Sequence, residues 1–115
     1  MRGGGELGKK WHNAGRLKEK QNVFDDFLYA SKYLEAEGVG NRKSTVISGR
    51  SNGGLLVGTS LVQNPNYFGA TLPAVGVLDM LRFTEFTEGW GWRGDYGSPL
   101  LSKDCLLYTS DAADE

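Results

Sequence analysis

A serine framed by glycines is the residue of this chain best suited to chemistry. Gly49-Arg50-Ser51-Asn52-Gly53-Gly54 follows directly on the β-branched run Thr45-Val46-Ile47-Ser48. A strand that breaks at Gly-x-Ser-x-Gly and continues into a helix holds the serine on a tight turn, its hydroxyl exposed above the sheet where it can attack a carbonyl carbon. Glycines suit such a turn because the backbone folds back on itself, and the spacing predicts that bulk is excluded at both Gly49 and Gly53. The same pattern also occurs in ordinary Gly-Ser turns, so the flanks must decide between the two. Thr45 to Ser48 reads as a buried strand, and Leu55-Leu56-Val57-Gly58-Thr59-Ser60-Leu61-Val62 is apolar nearly all round, as a buried helix is. That context favours a nucleophile elbow over a structural turn.

The elements that must position this serine fit one small α/β unit or a piece of one, since the chain has 115 residues. Thirteen basic and 14 acidic residues leave a net charge of −1, which gives no electrostatic reason to expect nucleic acid or an anionic membrane surface. The one cysteine, Cys105, cannot form an internal disulfide, and no apolar run approaches the roughly 18 residues of a membrane span. The Met1-Arg2-Gly3-Gly4-Gly5 start has no apolar stretch behind it and does not read as a signal peptide. A soluble, cytoplasmic protein is the expectation.

Arg2 to Gly8 reads as a glycine-rich turn, and Lys9 to Gln21 is polar and strongly basic around Trp11 and His12, with no regular period. From Asn22 the pattern changes. Asn22 can cap a helix, Asp25 and Asp26 sit in its first turn, and Val23, Phe27, Ala30 and Leu34 fall on one face that Phe24 and Leu28 widen. Gly38 and Gly40 offer left-handed positions to stop that helix near Glu37, after about 15 residues. Pro65 ends the helix that follows the elbow, and Gly69 to Val77 reads as a second buried strand, kept short by the missing amide of Pro73. Strand, helix, strand predicts a right-handed parallel crossover with helices covering a sheet, the α/β class.

Several longer blocks carry a resemblance. Arg2-Gly3-Gly4-Gly5-Glu6, Trp11-His12, Lys20-Gln21-Asn22-Val23-Phe24-Asp25-Asp26-Phe27, Ser51-Asn52-Gly53-Gly54-Leu55-Leu56-Val57-Gly58 and Val75-Gly76-Val77-Leu78-Asp79-Met80-Leu81-Arg82-Phe83 resemble the prolyl oligopeptidase family of serine peptidases. The likeness runs in order through residue 99 or so. Relatives that prefer basic residues usually carry Ser-Ala-Gly-Gly at the nucleophile and lack the Gly-Val-Leu-Asp-Met-Leu segment, so the chain looks like the proline-specific branch. Arg50 is a departure, standing where that branch often has glycine; a side chain just before the nucleophile can point away without blocking the elbow.

The resemblance implies a partial α/β-hydrolase fold over residues 1–99 and a set of roles. Ser51 is the implied nucleophile, and the backbone amide of Asn52 the implied oxyanion donor, which suits an amide at the dipole-positive start of a helix. Trp92, in Gly89-Trp90-Gly91-Trp92-Arg93-Gly94-Asp95-Tyr96-Gly97, aligns with the tryptophan that stacks on the substrate's proline ring, and Tyr96 and Val77 match other walls of that pocket. A flat indole gives a rigid pyrrolidine large contact area at low entropic cost. The competing role for these aromatics is plain core or surface packing. Trp90 stands where the family often has histidine, and no role is assigned to it.

In this fold the triad follows the order serine, acid, histidine, and no histidine follows Ser51. His12 falls in a segment where the family places a structural Trp-His pair, and Asp79, Asp95 and Asp104 read as solvated turn carboxylates. The implied acid, the histidine and a tyrosine of the oxyanion site therefore lie outside this chain. A serine without its base is a poor nucleophile, so the isolated chain is expected to be nearly inactive, and its cut sheet edges to promote aggregation or partial disorder. Residues 100–115 leave the family pattern and look like translated adapter or vector sequence, a non-family tail to be kept out of fold reasoning; a divergent native loop is the alternative. The resemblance further implies short proline-containing peptides as substrates, no metal or cofactor, and as partners the remainder of the catalytic domain and a β-propeller domain. An esterase or lipase of the same fold, or a non-catalytic remnant, are the competing functions.

Overall fold

The computed structural model describes residues 1–86 and 88–98. The expected tail, 100–115, lies outside the described residues, as do Asp104 and Cys105. The chain divides into two compact units. One is formed by Met1–Asp26 with the described part of Asp79–Thr109, the other by Phe27–Leu78.

The second unit holds the sheet. Strand β1 (Val46–Arg50) is followed by helix α3 (Asn52–Gln63) and strand β2 (Ala70–Ala74), and the two strands pair in parallel, Val46 opposite Ala70 and Arg50 opposite Ala74. A parallel pair needs a crossover connection, and α3 supplies it. The α/β architecture with flanking helices is therefore as expected. Around this crossover Ile47, Val57, Tyr67 and Phe68 form the core, with Phe27 and Leu28 packed against it. Val57 is 1% exposed, and deleting such a buried side chain removes both its transfer free energy and its packing. The ring of Tyr67 meets Phe68 edge-on at 5.2 Å, and its hydroxyl donates to Glu35 at 3.1 Å.

Three expectations need correction in this unit. β1 runs two residues past Ser48, through Gly49 and Arg50, so the chain breaks at the serine itself. β2 is largely exposed and β1 buries only Ile47, against the expectation of two buried strands. Among the described residues each strand has only the other as a neighbour, and α3 covers a single face. Finally, α3 is buried at Gly54, Leu55, Val57, Thr59 and Ser60, whereas Leu61 and Val62 are exposed. Pro65 has its expected effect, and α3 stops at Gln63.

Helix α2 (Gln21–Ala36) begins one residue before the expected cap. Asn22 lies inside it and spends its side-chain amide on the carbonyl of Ala14, at 2.9 Å. The inward face matches the expected one at Val23, Phe24, Phe27 and Leu28 and departs from it further along, where Ser31 and Glu35 are half-buried while Ala30 and Leu34 face solvent. Both sets have helical spacing, and packing partners choose between them. The stop is a Schellman motif: Gly38 at φ 76° lets its amide reach the Glu35 carbonyl and the Val39 amide reach Leu34.

The first unit holds α1 (Lys9–Asn13), residues Gln21–Asp26 of α2, and α4 (Arg93–Tyr96), with 3₁₀ turns at Leu17–Glu19, Phe83–Glu85 and Gly89–Trp92. The stretch from Lys9 to Gln21, which shows no period, thus contains two short helical turns. Arg2 anchors the glycine-rich start here: its guanidinium and backbone amide both donate to the Asp26 carboxylate, which holds that carboxyl below its ordinary pKa.

Candidate active site

Ser51 sits between β1 and α3 at φ 55°, ψ −117°, a conformation that an L-residue adopts only when its surroundings impose it. The residue is exposed. Two hydrogen bonds hold the bend: the Ser51 amide donates to the Ala74 carbonyl at 3.0 Å, and the Ser51 carbonyl accepts the Leu55 amide at 3.1 Å. The first bond ties the elbow to the end of the neighbouring strand, the second starts α3. Arg50 is exposed, so it leaves the elbow unobstructed.

Glycines make the bend passable, Gly49 as expected and Gly54 in place of Gly53. A Cβ at Gly49 would lie 2.0 Å from the carbonyl oxygen of Gly53, and one at Gly54 would lie 2.6 Å from the Cα of Gly76. Neither gap can hold a side chain. A Cβ at Gly53 would meet nothing within 4 Å, so the expected exclusion of bulk there is incorrect. What matters at Gly53 is its backbone, which Gly49 touches.

Asn52 opens α3, and the amides of a helix's first turn point out of its dipole-positive end. Val77, half-buried, follows the Gly76 that packs on Gly54, so one unit brings Ser51, Asn52 and the Val77 segment together. Sequence reasoning missed Val75. It stands at φ 48° immediately after β2, a second strained residue beside the carbonyl that receives the Ser51 amide. No sequence signal points to it, because β-branched residues rarely take positive φ.

Trp92 and Tyr96 belong to the other unit, where they form one aromatic cluster. Tyr96 is 6% exposed and meets Trp92 edge-on at 6.4 Å and Phe83 edge-on at 5.6 Å. Trp92 keeps 38% of its surface exposed, while Trp90 at 68% is the most open of the tryptophans of this segment. Burial pushes the Tyr96 phenol up to about 12, with the charge of Asp95 adding to the effect, so the hydroxyl stays protonated at neutral pH. Gly89 lets its turn pack against the backbone of Phe83, since a Cβ there would lie 1.7 Å from the Phe83 carbonyl oxygen.

His12 makes its contacts within the same unit. Its Nδ1 lies 2.7 Å from the Gly3 carbonyl, which can only accept, so that nitrogen carries the proton; Nε2 lies 3.8 Å from Asp95. Asp79 grips Arg82 through its amide at 3.1 Å and its guanidinium at 2.6 Å. Burial opposes the charge on Asp79, the Arg82 hydrogen bonds outweigh it, and its pKa falls below the ordinary value. Asp79 thus serves its local turn, whereas Asp95 faces His12 from far along the chain. Among the described residues no group of three or more His, Cys, Asp or Glu could hold a metal ion, and no helix is long and apolar enough to cross a membrane.

Comparison with known proteins gives a consistent result. The model of the prolyl oligopeptidase family matches residues 1–110. A prolyl endopeptidase of Elizabethkingia meningoseptica is 50% identical over 108 residues, covering 94% of this chain and 15% of the relative. A solved prolyl endopeptidase structure is 53% identical with a TM-score of 0.89, over 93% of this chain and 16% of that one. A post-proline cleaving enzyme from Rickettsia typhi is 39% identical, again with a TM-score of 0.89, over 93% of this chain and 16% of that one. The chain thus spans about 15% of the length of the curated relatives it matches.

Proposed function

The chain belongs to the prolyl oligopeptidase family, and from that premise we propose that it is the nucleophile-bearing segment of a serine endopeptidase that cuts short peptides on the carboxyl side of proline. The observation that carries this reading is the exposed Ser51 held at φ 55° between β1 and α3. Its Oγ attacks the carbonyl carbon of the scissile bond, its proton passes to a histidine supplied from the longer polypeptide, and the amine product leaves an acyl-enzyme that water then hydrolyses. The Asn52 backbone amide stabilises the oxyanion; losing one such donor typically costs about 10²–10³ in rate. The family resemblance supports Trp92 as the residue that meets the proline ring, with Tyr96 and Val77 as further contacts. The chemistry supplies its own proton transfer and calls for no cofactor.

An esterase of the same fold would share the elbow. Trp92 and Tyr96, together with the identity to prolyl endopeptidases, favour the peptidase. The test is hydrolysis of a prolyl amide against a simple alkyl ester by the full-length polypeptide, alongside labelling with a serine-directed phosphonate. Preference for the amide, with labelling that vanishes in Ser51→Ala, supports the proposal. Preference for the ester, or label that persists in Ser51→Ala, overturns it.

A further inference from the structure

Three basic residues spaced four apart, His12, Arg16 and Lys20, lie in the stretch that shows no regular period. Within the first unit they converge on three consecutive residues. His12 Nε2 approaches the Asp95 carboxylate at 3.8 Å. The Arg16 guanidinium donates to the Gly94 carbonyl twice, at 2.8 Å through Nε and more closely still through a terminal nitrogen. The Lys20 ammonium lies 5.1 Å from the centroid of the Tyr96 ring, over its face. From the sequence alone these contacts are invisible, because Arg16 and Gly94 are 78 positions apart.

We propose that His12, Arg16 and Lys20 form a clamp that positions the aromatic wall Trp92–Tyr96 and so sets how tightly the proline side of the substrate is held. The proposal rests on the peptidase reading above. Its physical basis is the way the contacts are chained. Tyr96 is the residue Trp92 leans on, edge to face, and edge-to-face geometry depends on the tilt of both rings. Lys20 fixes the tilt of Tyr96, because the ammonium is attracted to the ring's negative face and nowhere else on it. Arg16 fixes the backbone two residues before Tyr96 with a fork, a geometry that a lysine at 16 does not reproduce. The placement of Lys20 is informative in itself. It is 5% exposed, and a buried ammonium costs free energy that an apolar side chain of equal length does not. Its partners, the Tyr96 ring and the nearby charge of Asp95, both lie on the clamped turn. These side chains act through Trp92 and Tyr96, which makes them positioning residues.

The experiment uses the full-length polypeptide with an N-blocked glycyl-prolyl p-nitroanilide as substrate and diisopropyl fluorophosphate as a small label for Ser51 that needs no proline wall. Lys20→Met keeps the length and removes the cation. It is expected to raise KM about three- to tenfold with kcat within about twofold, as loss of a cation–π contact implies. Its labelling rate should match the unsubstituted protein, and Lys20→Arg should restore KM. Should Lys20→Met fail to fold and lose its label, Arg16→Lys decides, with a smaller rise in KM at unchanged labelling. An unchanged KM in both variants overturns the clamp. So does a labelling rate that falls in step with the rise in KM, since that marks general support of the fold. A protein that labels at Ser51 yet cleaves no prolyl amide overturns the peptidase reading first and the clamp with it; a clamp that fails in an active prolyl peptidase fails alone.

Discussion

The elbow around Ser51 and the wall around Trp92 are built in opposite ways. The elbow is made of backbone: Gly49 presses on Gly53, Gly54 on Gly76, and the Ser51 amide on the end of β2. The wall is made of side chains: Tyr96 is caught between Phe83, Trp92 and Lys20, and its preceding turn is held by Arg16. A backbone-built site tolerates no added atom at its contacts but is indifferent to most side chains around it. A site built from side chains responds gradually, because each contact is worth about 1 kcal/mol and its neighbours adjust.

Substitutions can break or sharpen that contrast. The largest effect belongs to Ser51→Ala in the full-length polypeptide, where loss of the nucleophile should cost on the order of 10⁶ in turnover, measured as prolyl amide hydrolysis. Next comes Gly49→Ala. With a Cβ placed 2.0 Å from the Gly53 carbonyl oxygen the elbow must shift, and destabilisation of about 3 kcal/mol together with loss of phosphonate labelling is expected. Gly54→Ala should behave alike, against the backbone of Gly76. An active, normally stable Gly49→Ala would show that the elbow is not held by backbone contact.

Tyr96→Phe probes the wall through pH. Because burial raises the folded phenol from 10.0 to about 12, the neutral form is favoured on folding, so that contribution is whole below pH 10 and fades as pH rises through about 12. The unsubstituted protein should therefore lose about 2–3 kcal/mol relative to Tyr96→Phe over that interval, read from denaturant midpoints. Parallel pH profiles would mean that Tyr96 is not buried as described. The smallest effect is Gly53→Ala, within the first turn of α3. It should be neutral or stabilising by up to about 1 kcal/mol, since the added methyl meets nothing and alanine suits a helix. If it is as damaging as Gly49→Ala, the two glycines have equivalent roles after all.

Much of the elbow was legible because its signals are local. A strand, a glycine-framed serine and an apolar helix stand in immediate succession, and each declares itself within a few residues. The Pro65 stop and the Gly38 left-handed cap are local in the same sense. The failures are equally instructive. Gly49 and Gly53 look equivalent in the motif, yet the Cα–H that would become a side chain faces Gly53 at one and open space at the other. The helical period in α2 is plain, but Phe24, Phe27 and Leu28 turn inward while Leu34 stays out, a choice that periodicity alone does not make. Val75 carries no signal at all, since β-branched residues rarely take positive φ.

By itself, then, the sequence determined the order β1, α3, β2, the bend at Ser51 and the family, since these depend on turn chemistry, short-range periodicity and residue blocks read along the chain. Tertiary structure alone decided which glycines touch, which face of α2 packs, and how Arg16 and Lys20 reach Gly94 and Tyr96. Those contacts join positions dozens of residues apart, and their energies come into being only once the chain has brought the partners together.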